Sequence, residues 1–227
     1  MTWQETLNLW KNYDALDPVL KEELANNQDE EALKDAFGAN LSFGTAGMRG
    51  VLGAGPNRMN VYTVRQATEG LAQLIEEAGQ AAKDRGVAIS YDSRHYSPEF
   101  AMEAALVLGR HGIKSYVFES LRPTPELSFA VRYLNTYAGI MITASHNPAA
   151  YNGYKVYGED GGQMPPEDAD KLTAFVRAVE NPLTVEVGDK TELLGSGVVE
   201  IIGDRVDQAY LEEMKAVTIN PELVKEM

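Results

Sequence analysis

Apolar residues in the first part of the chain recur at helical spacing. Trp3, Leu7, Leu9 and Trp10 predict a first short helix. Asp17-Pro18 opens a second, with the aspartate as N-cap and the proline at the first helical position. Residues 29–37 form a third, which Gly38 is expected to close in a left-handed conformation. The period then breaks, because residues 41–60 hold five glycines and one proline and predict loop or irregular strand. Beyond it Val64, Ala67, Leu71, Leu74 and Ile75 mark the stripe of a half-buried helix over 63–82. A strand follows over 87–91, then a helix capped by Ser97 and opened by Pro98 that runs to Leu108 and stops by Gly112. Residues 113–118 predict a strand, Thr124-Pro125 opens a helix to Leu134, and 139–142 is the most apolar strand of all. Strands alternating with helices of this length argue for βαβ units, hence an α/β fold with a mostly parallel sheet and helices on both faces, preceded by short helices. The pattern continues less regularly: a strand over 154–157, a helix over 166–180, a polar stretch of β-hairpin character over 184–202, and a helix over 204–217 capped by Asp204. These elements predict a first domain over 1–200 and the truncated start of a second over 201–227.

Composition narrows the chemistry. The 227 residues carry 20 Lys+Arg against 34 Asp+Glu, a formal net charge of −14, and no cysteine. Without cysteine there are no disulfides, thiolate nucleophiles or cysteine-based metal sites, which makes the cytoplasm the expected compartment. The acidic balance opposes sequence-independent nucleic-acid binding, so a phosphate-bearing ligand must be met by a local group of cations. The N-terminus has neither the basic nor the apolar segment of a secretory signal, and no apolar run has the roughly 18 to 20 residues that a membrane span needs. Neither nucleic acid nor membrane is an expected partner.

The segment Thr143-Ala144-Ser145-His146-Asn147-Pro148 follows directly on the apolar strand, where an open α/β sheet places its ligands. The same residues also suit a polar turn, Asn-Pro being common turn chemistry. A Ser-His-Asp triad is a poor reading, since neighbours in extended chain point apart and the nucleophile-elbow pattern Gly-x-Ser-x-Gly is missing. Gly53-Ala54-Gly55 is no dinucleotide fingerprint, because Arg58 stands in place of the third glycine. His95 and His111 lack partners at metal-ligand spacing. Asp92 and Arg94, at a strand end, fit either of two parts: site residues, or a pair that orients the serine loop.

Taken with Tyr151-Asn152-Gly153-Tyr154-Lys155, the Thr-Ala-Ser-His-Asn-Pro segment resembles the phosphoserine loop of the α-D-phosphohexomutase superfamily. The resemblance extends through Ser42-Phe43-Gly44-Thr45-Ala46-Gly47-Met48-Arg49-Gly50, Tyr91-Asp92-Ser93-Arg94 and Leu121-Arg122-Pro123-Thr124-Pro125, in the expected order over most of residues 40–180. The first of these, with Arg58-Met59-Asn60 behind it, looks most like the phosphoglucomutase and phosphopentomutase branch. The resemblance implies that Ser145 carries a phosphoryl group, gives it to a hexose phosphate and takes it back from the other end of a bisphosphate. Glucose 1-phosphate and glucose 6-phosphate would be interconverted, with glucose 1,6-bisphosphate as intermediate and activator. It implies catalytic parts for Ser145, Lys155 and His146, and substrate or phosphate binding by Arg49, Thr45, Gly47, Arg94 and Asn147. Mg²⁺ would sit on the phosphate of Ser145, with its acidic ligands in the remaining domains of a full-length enzyme, beyond residue 227. Lys155 would return beside the serine loop through a turn at Asn152-Gly153, as a proton carrier or as a phosphate clamp.

Overall fold

The computed structural model describes residues 1–44 and 47–217. Three short helices, α1 (Trp3–Lys11), α2 (Pro18–Asn26) and α3 (Glu30–Phe37), open the chain as expected, and the Asp17 carboxylate caps α2 by accepting from Val19 and Leu20 N–H. Their apolar faces meet around Trp10, whose ring lies edge-on to Phe37 and Tyr62. Tyr62 also ties this layer to the rest, because its hydroxyl accepts from Asp17 N–H at 2.8 Å and donates to the Ala15 carbonyl at 3.1 Å. Gly38 ends α3 with φ −80°, an ordinary right-handed value, so this C-terminus needs no left-handed cap.

The glycine-rich stretch contains a regular strand, β1 (Gly47–Val51). Asn60 then caps α4 (Val61–Ala78) while its amide donates to the Gly53 and Gly55 carbonyls, which fixes the loop between them. The single helix expected over 63–82 is two: Gly79, at φ +95°, breaks it before α5 (Gln80–Arg85). The order continues with β2 (Val87–Tyr91), α6 (Ser97–Arg110), β3 (Ser115–Phe118), α7 (Thr124–Tyr133), β4 (Ala138–Ile142), β5 (Tyr151–Tyr157) and α8 (Pro166–Ala178). Ser97 is the first residue of α6 rather than its cap, since its hydroxyl turns to Asp92 and Asn152 instead of the helix N–H groups.

The six strands form one sheet in the order β1-β5-β4-β2-β3-β6, with β6 spanning Val199–Ile202. Strands β4, β2, β3 and β6 run parallel, and β5 is antiparallel to both β4 and β1. Alternate side chains of the buried strands serve two cores. Val87, Ile89, Ile140 and Ile142 face α4, α6 and α8, whereas Ala88 and Met141 face α7 and α10 (Asp204–Ala216). This is the expected layered α/β/α architecture with a mostly parallel sheet.

Two expectations for the C-terminal part fail. Residues 184–202 do not make a hairpin: a 3₁₀ turn at Pro182–Thr184 and helix α9 (Lys190–Ser196) lead into β6, which pairs parallel with β3. Polar residues there cover a helix and an edge strand, a pattern that sequence alone does not separate from a hairpin. Asp204 does not cap α10; Gly203 holds the cap position and no side chain bonds to the free N–H groups. The boundary expected at residue 200 falls inside β6, and α10 packs against α7 through Phe129 and Tyr210. Residues 218–227 lie outside the described residues.

Candidate active site

The loop after β4 is held from both sides. Thr143, almost fully buried, donates from Oγ1 to Asp92 Oδ2 at 2.5 Å and accepts the Ser145 N–H at 2.9 Å. Asp92 Oδ1 accepts from the Arg94 N–H and the Ser97 hydroxyl. The Arg94 guanidinium spends both Nη2 hydrogens on the Ser145 and Asn147 carbonyls, at 2.8 and 2.6 Å, and both Nη1 hydrogens on Pro148 and Tyr151, each at 2.9 Å. Between these fixed points Ser145 adopts φ +55° and is exposed. That left-handed turn explains a contact the extended-chain argument disfavours: Ser145 Oγ lies 3.3 Å from His146 Nδ1. Among the described residues no carboxylate orients the other side of that imidazole, so the pair is not a triad.

Beside the loop, β1 and β5 carry two cations to one face. The register opposes Gly47 to Lys155 and Arg49 to Gly153, and on the other side of β5 it opposes Met141 to Lys155. Lys155, Arg49 and Thr143 line a cavity of about 360 Å³ together with Ser42, Gly44, Gly47, Met48 and Gln163. Neither Arg49 nor Lys155 enters an ion pair with a carboxylate among the described residues, although most other arginines do. Two cations without carboxylate partners on one cavity suit an anion. A second cavity, of about 280 Å³, lies between α2 and α6; its charged lining is Asp17, Glu23 and Glu99, the wrong sign for a phosphate.

The glycines act structurally here. A Cβ on Gly153 would sit 2.6 Å from the Thr143 carbonyl and 3.0 Å from that of Met48, so β1 and the end of β4 can close in only on a glycine. Asn152 and Gly153 therefore lie inside β5, not in a turn; the chain reverses before them, where Tyr151 N–H bonds to the Pro148 carbonyl. Gly47, at φ +149°, is pressed against the Tyr154 carbonyl while it lines the cavity. Thr45 lies outside the described residues. Asn147 caps no ligand-facing group that the structure identifies: its backbone N–H bonds to the Ala144 carbonyl, and its side-chain oxygen is buried without a hydrogen-bond partner. Sequence reasoning passed over Gln163 and Thr143. Thr143 stood inside the quoted motif, but Gln163 reaches the cavity through a bridge to Tyr157 that carries no local signal.

A model of the family described as phosphoglucomutase/phosphomannomutase, alpha/beta/alpha domain I, matches residues 40–182. The chain belongs to this family. Within the family it is 40% identical to a Staphylococcus saprophyticus phosphoglucomutase over 209 residues, which is 92% of this chain and 37% of that protein. It is 44% identical to a Staphylococcus epidermidis phosphoglucomutase over 178 residues, 78% of this chain and 32% of that protein. Among solved structures, a Thermus thermophilus protein provisionally named a phosphomannomutase superposes with a TM-score of 0.64 at 31% identity, over 78% of this chain and 36% of its own. The chain thus spans about a third of the length of the relatives it matches. Helices α1 to α3 precede the matched residues, and the serine loop, Arg49 and Lys155 all fall within them.

A Mg²⁺ ion needs several oxygen ligands, usually carboxylates, waters and phosphate oxygens. Among the described residues no group of three or more His, Asp or Glu side chains could hold a metal, and Asp92, the carboxylate tied to the serine loop, is already bonded to Thr143 and Ser97. These residues alone do not make a Mg²⁺ site.

Proposed function

We propose that this chain is the phosphoserine-bearing part of an α-phosphoglucomutase that interconverts glucose 1-phosphate and glucose 6-phosphate. The observation that carries the reading is Ser145, exposed at the carboxyl end of β4 and held through its N–H by Thr143, which lines one cavity with Arg49 and Lys155, two cations free of carboxylate partners among the described residues. In the forward direction the bond between phosphorus and Ser145 Oγ breaks as the sugar hydroxyl oxygen bonds to that phosphorus, and the hydroxyl proton passes to Lys155 in its neutral amine form, which becomes the ammonium cation. The product is glucose 1,6-bisphosphate. After the bisphosphate turns around, Ser145 Oγ bonds to the other phosphorus as the bond from that phosphorus to the sugar C1 oxygen breaks, Lys155 returns its proton to that oxygen, and glucose 6-phosphate departs. Such transfers are governed by positioning and charge neutralisation, which is the work assigned to Arg49 and to the backbone around Gly47 and Thr45. His146 Nδ1 lies 3.3 Å from the reacting oxygen, and Asn147 is assigned to binding the substrate phosphate. When bound, Mg²⁺ would neutralise charge on the phosphate; its acidic ligands would come from the remaining domains of the enzyme, in the cytoplasm.

The phosphomannomutase name of the Thermus thermophilus neighbour keeps a second sugar in play. The test is a substrate panel on the complete protein, with Mg²⁺ and catalytic bisphosphate. Glucose 1-phosphate should be converted with the highest kcat/KM, ahead of mannose 1-phosphate and ribose 1-phosphate. A preference for mannose or ribose phosphate would move the assignment to a phosphomannomutase or phosphopentomutase. Binding without turnover of any sugar would leave a non-catalytic sugar-phosphate binder.

A further inference from the structure

Ser145 carries a Cβ and yet has φ +55°, a backbone region that L-residues other than glycine avoid unless their surroundings impose it. The structure supplies the imposing contacts on both peptide units. On the amino side, the Ser145 N–H is held by Thr143 Oγ1, which Asp92 Oδ2 holds in turn. On the carboxyl side, the Ser145 carbonyl is held by Arg94 Nη2. With the peptide planes on either side fixed, little freedom remains in φ and ψ of the residue between them.

We infer that Arg94 is a positioning residue which, with Asp92 acting through Thr143, locks Ser145 in the left-handed conformation that presents its hydroxyl. This reading of Arg94 rests on the proposed function only for its kinetic consequence. Direct phosphate binding by Arg94 conflicts with the geometry. All four Nη hydrogens are spent on carbonyls of Ser145, Asn147, Pro148 and Tyr151, and Nε faces Asp92 Oδ2 at 3.6 Å. The side chain is 11% exposed. A planar guanidinium can gather four acceptors along one turn of loop, whereas the three hydrogens of a lysine leave from a single nitrogen and cannot span them. Asp92 supplies the counter-charge and orders the arginine's own backbone by accepting its N–H. A group that must give and then retake a phosphoryl group gains from such a lock, because both transfers need the same Oγ in line with a phosphorus.

The lock is tested by exchanging Ser145 for glycine and for alanine in two backgrounds of the complete protein, wild type and Arg94→Lys. Glycine is free at positive φ and alanine is not, so Ser145→Gly should have the higher denaturation midpoint in the wild-type background. In the Arg94→Lys background the loop relaxes and that difference should fall to half or less. Thr143→Val removes only the hydroxyl between Asp92 and the Ser145 N–H, and should shrink the difference by the other route if Arg94→Lys does not fold. With Ser145 intact, Arg94→Lys should lower kcat roughly 10- to 100-fold with a less than threefold change in KM. An undiminished glycine–alanine difference in both the Arg94→Lys and the Thr143→Val backgrounds would overturn the inference. So would a raised KM for the sugar phosphate at unchanged kcat, which is the mark of a phosphate ligand. If the wild-type protein turns over no sugar phosphate, the proposed function fails, while the glycine–alanine comparison still decides the part of Arg94.

Discussion

Lys155 stands between two strands that both run antiparallel to its own, opposed to Gly47 on β1 and to Met141 on β4, and it lines the same cavity as Arg49. Its two proposed parts, proton carrier and phosphate clamp, separate under one substitution. Arginine keeps the positive charge and the reach but does not release a proton in the working pH range. In the complete protein, Lys155→Arg should lower kcat by about 100-fold or more with a modest change in KM, in line with the usual worth of a positioned acid or base. A near-normal kcat would leave Lys155 as a clamp. At this scale the places of the serine, the lysine and Arg49 come from the motifs that carry the resemblance, and the structure sets Arg49 and Lys155 on one cavity with Thr143 of the serine loop. The sequence is not legible where a residue's part depends on partners some fifty positions away. For Arg94 the strand-end position leaves two parts open and the resemblance implies phosphate binding, whereas the fold puts its hydrogens on the carbonyls of Ser145, Asn147, Pro148 and Tyr151.

Helices α7 and α10 are joined through a charged cluster at the carboxyl end of the sheet. Arg122 makes a two-pronged contact with Asp207 at 2.8 and 2.6 Å, and Glu119 and Glu126 stand at 3.7 and 3.9 Å. Glu126 is 5% exposed, and burial, followed by the nearness of Asp207, pushes its carboxyl up to about 7 from an ordinary 4.5. Arg122 holds Asp207 below its ordinary value. The two shifts act on stability with opposite sign. Folded Glu126 keeps its proton to higher pH than the unfolded chain does, so its contribution is full below pH 4.5 and is lost as the pH rises to about 7. Asp207 contributes above its unfolded value and loses that contribution only as the pH falls through its lowered one. Glutamine at 126 keeps the size and a donor in place of the protonated acid, but it cannot ionise. Glu126→Gln should therefore stabilise the protein above pH 7, by on the order of 1 to 3 kcal/mol, and have little effect near pH 4.5. Thermal unfolding of both proteins across that range checks it; an equal difference at every pH would contradict it. Element prediction succeeded where period and caps agreed, as at α2, β2 and β4. It failed where a close approach decides the backbone. Asn152-Gly153 has turn composition, yet it is extended because the carbonyls of Thr143 and Met48 leave no room for a side chain at 153.

Over the whole molecule, 34 acidic against 20 basic residues give a net charge of −14, which repels a sugar bisphosphate everywhere except where cations are set apart from carboxylates. Arg49 and Lys155 make such a place in the cavity lined by Thr143 of the serine loop, so the central claim concerns where a phosphoryl group goes. The described residues contain no helix long and apolar enough to cross a membrane, and the chain covers about a third of the phosphoglucomutases it resembles. The layered architecture and the serine loop were both legible in the sequence, the first from alternating periods and the second from a motif at a strand end. The pairing of β1 with β5, which carries Arg49 to Lys155, was not, because an edge strand rich in glycine has no period to read. The most direct measurement is to incubate the complete protein with glucose 1,6-bisphosphate labelled in its phosphates, map the labelled peptide, and then chase with unlabelled glucose 1-phosphate. The account predicts label on Ser145 that passes to the sugar during the chase, and no stable label in Ser145→Ala. Label on another residue, or label on Ser145 that the sugar phosphate cannot remove, would contradict it.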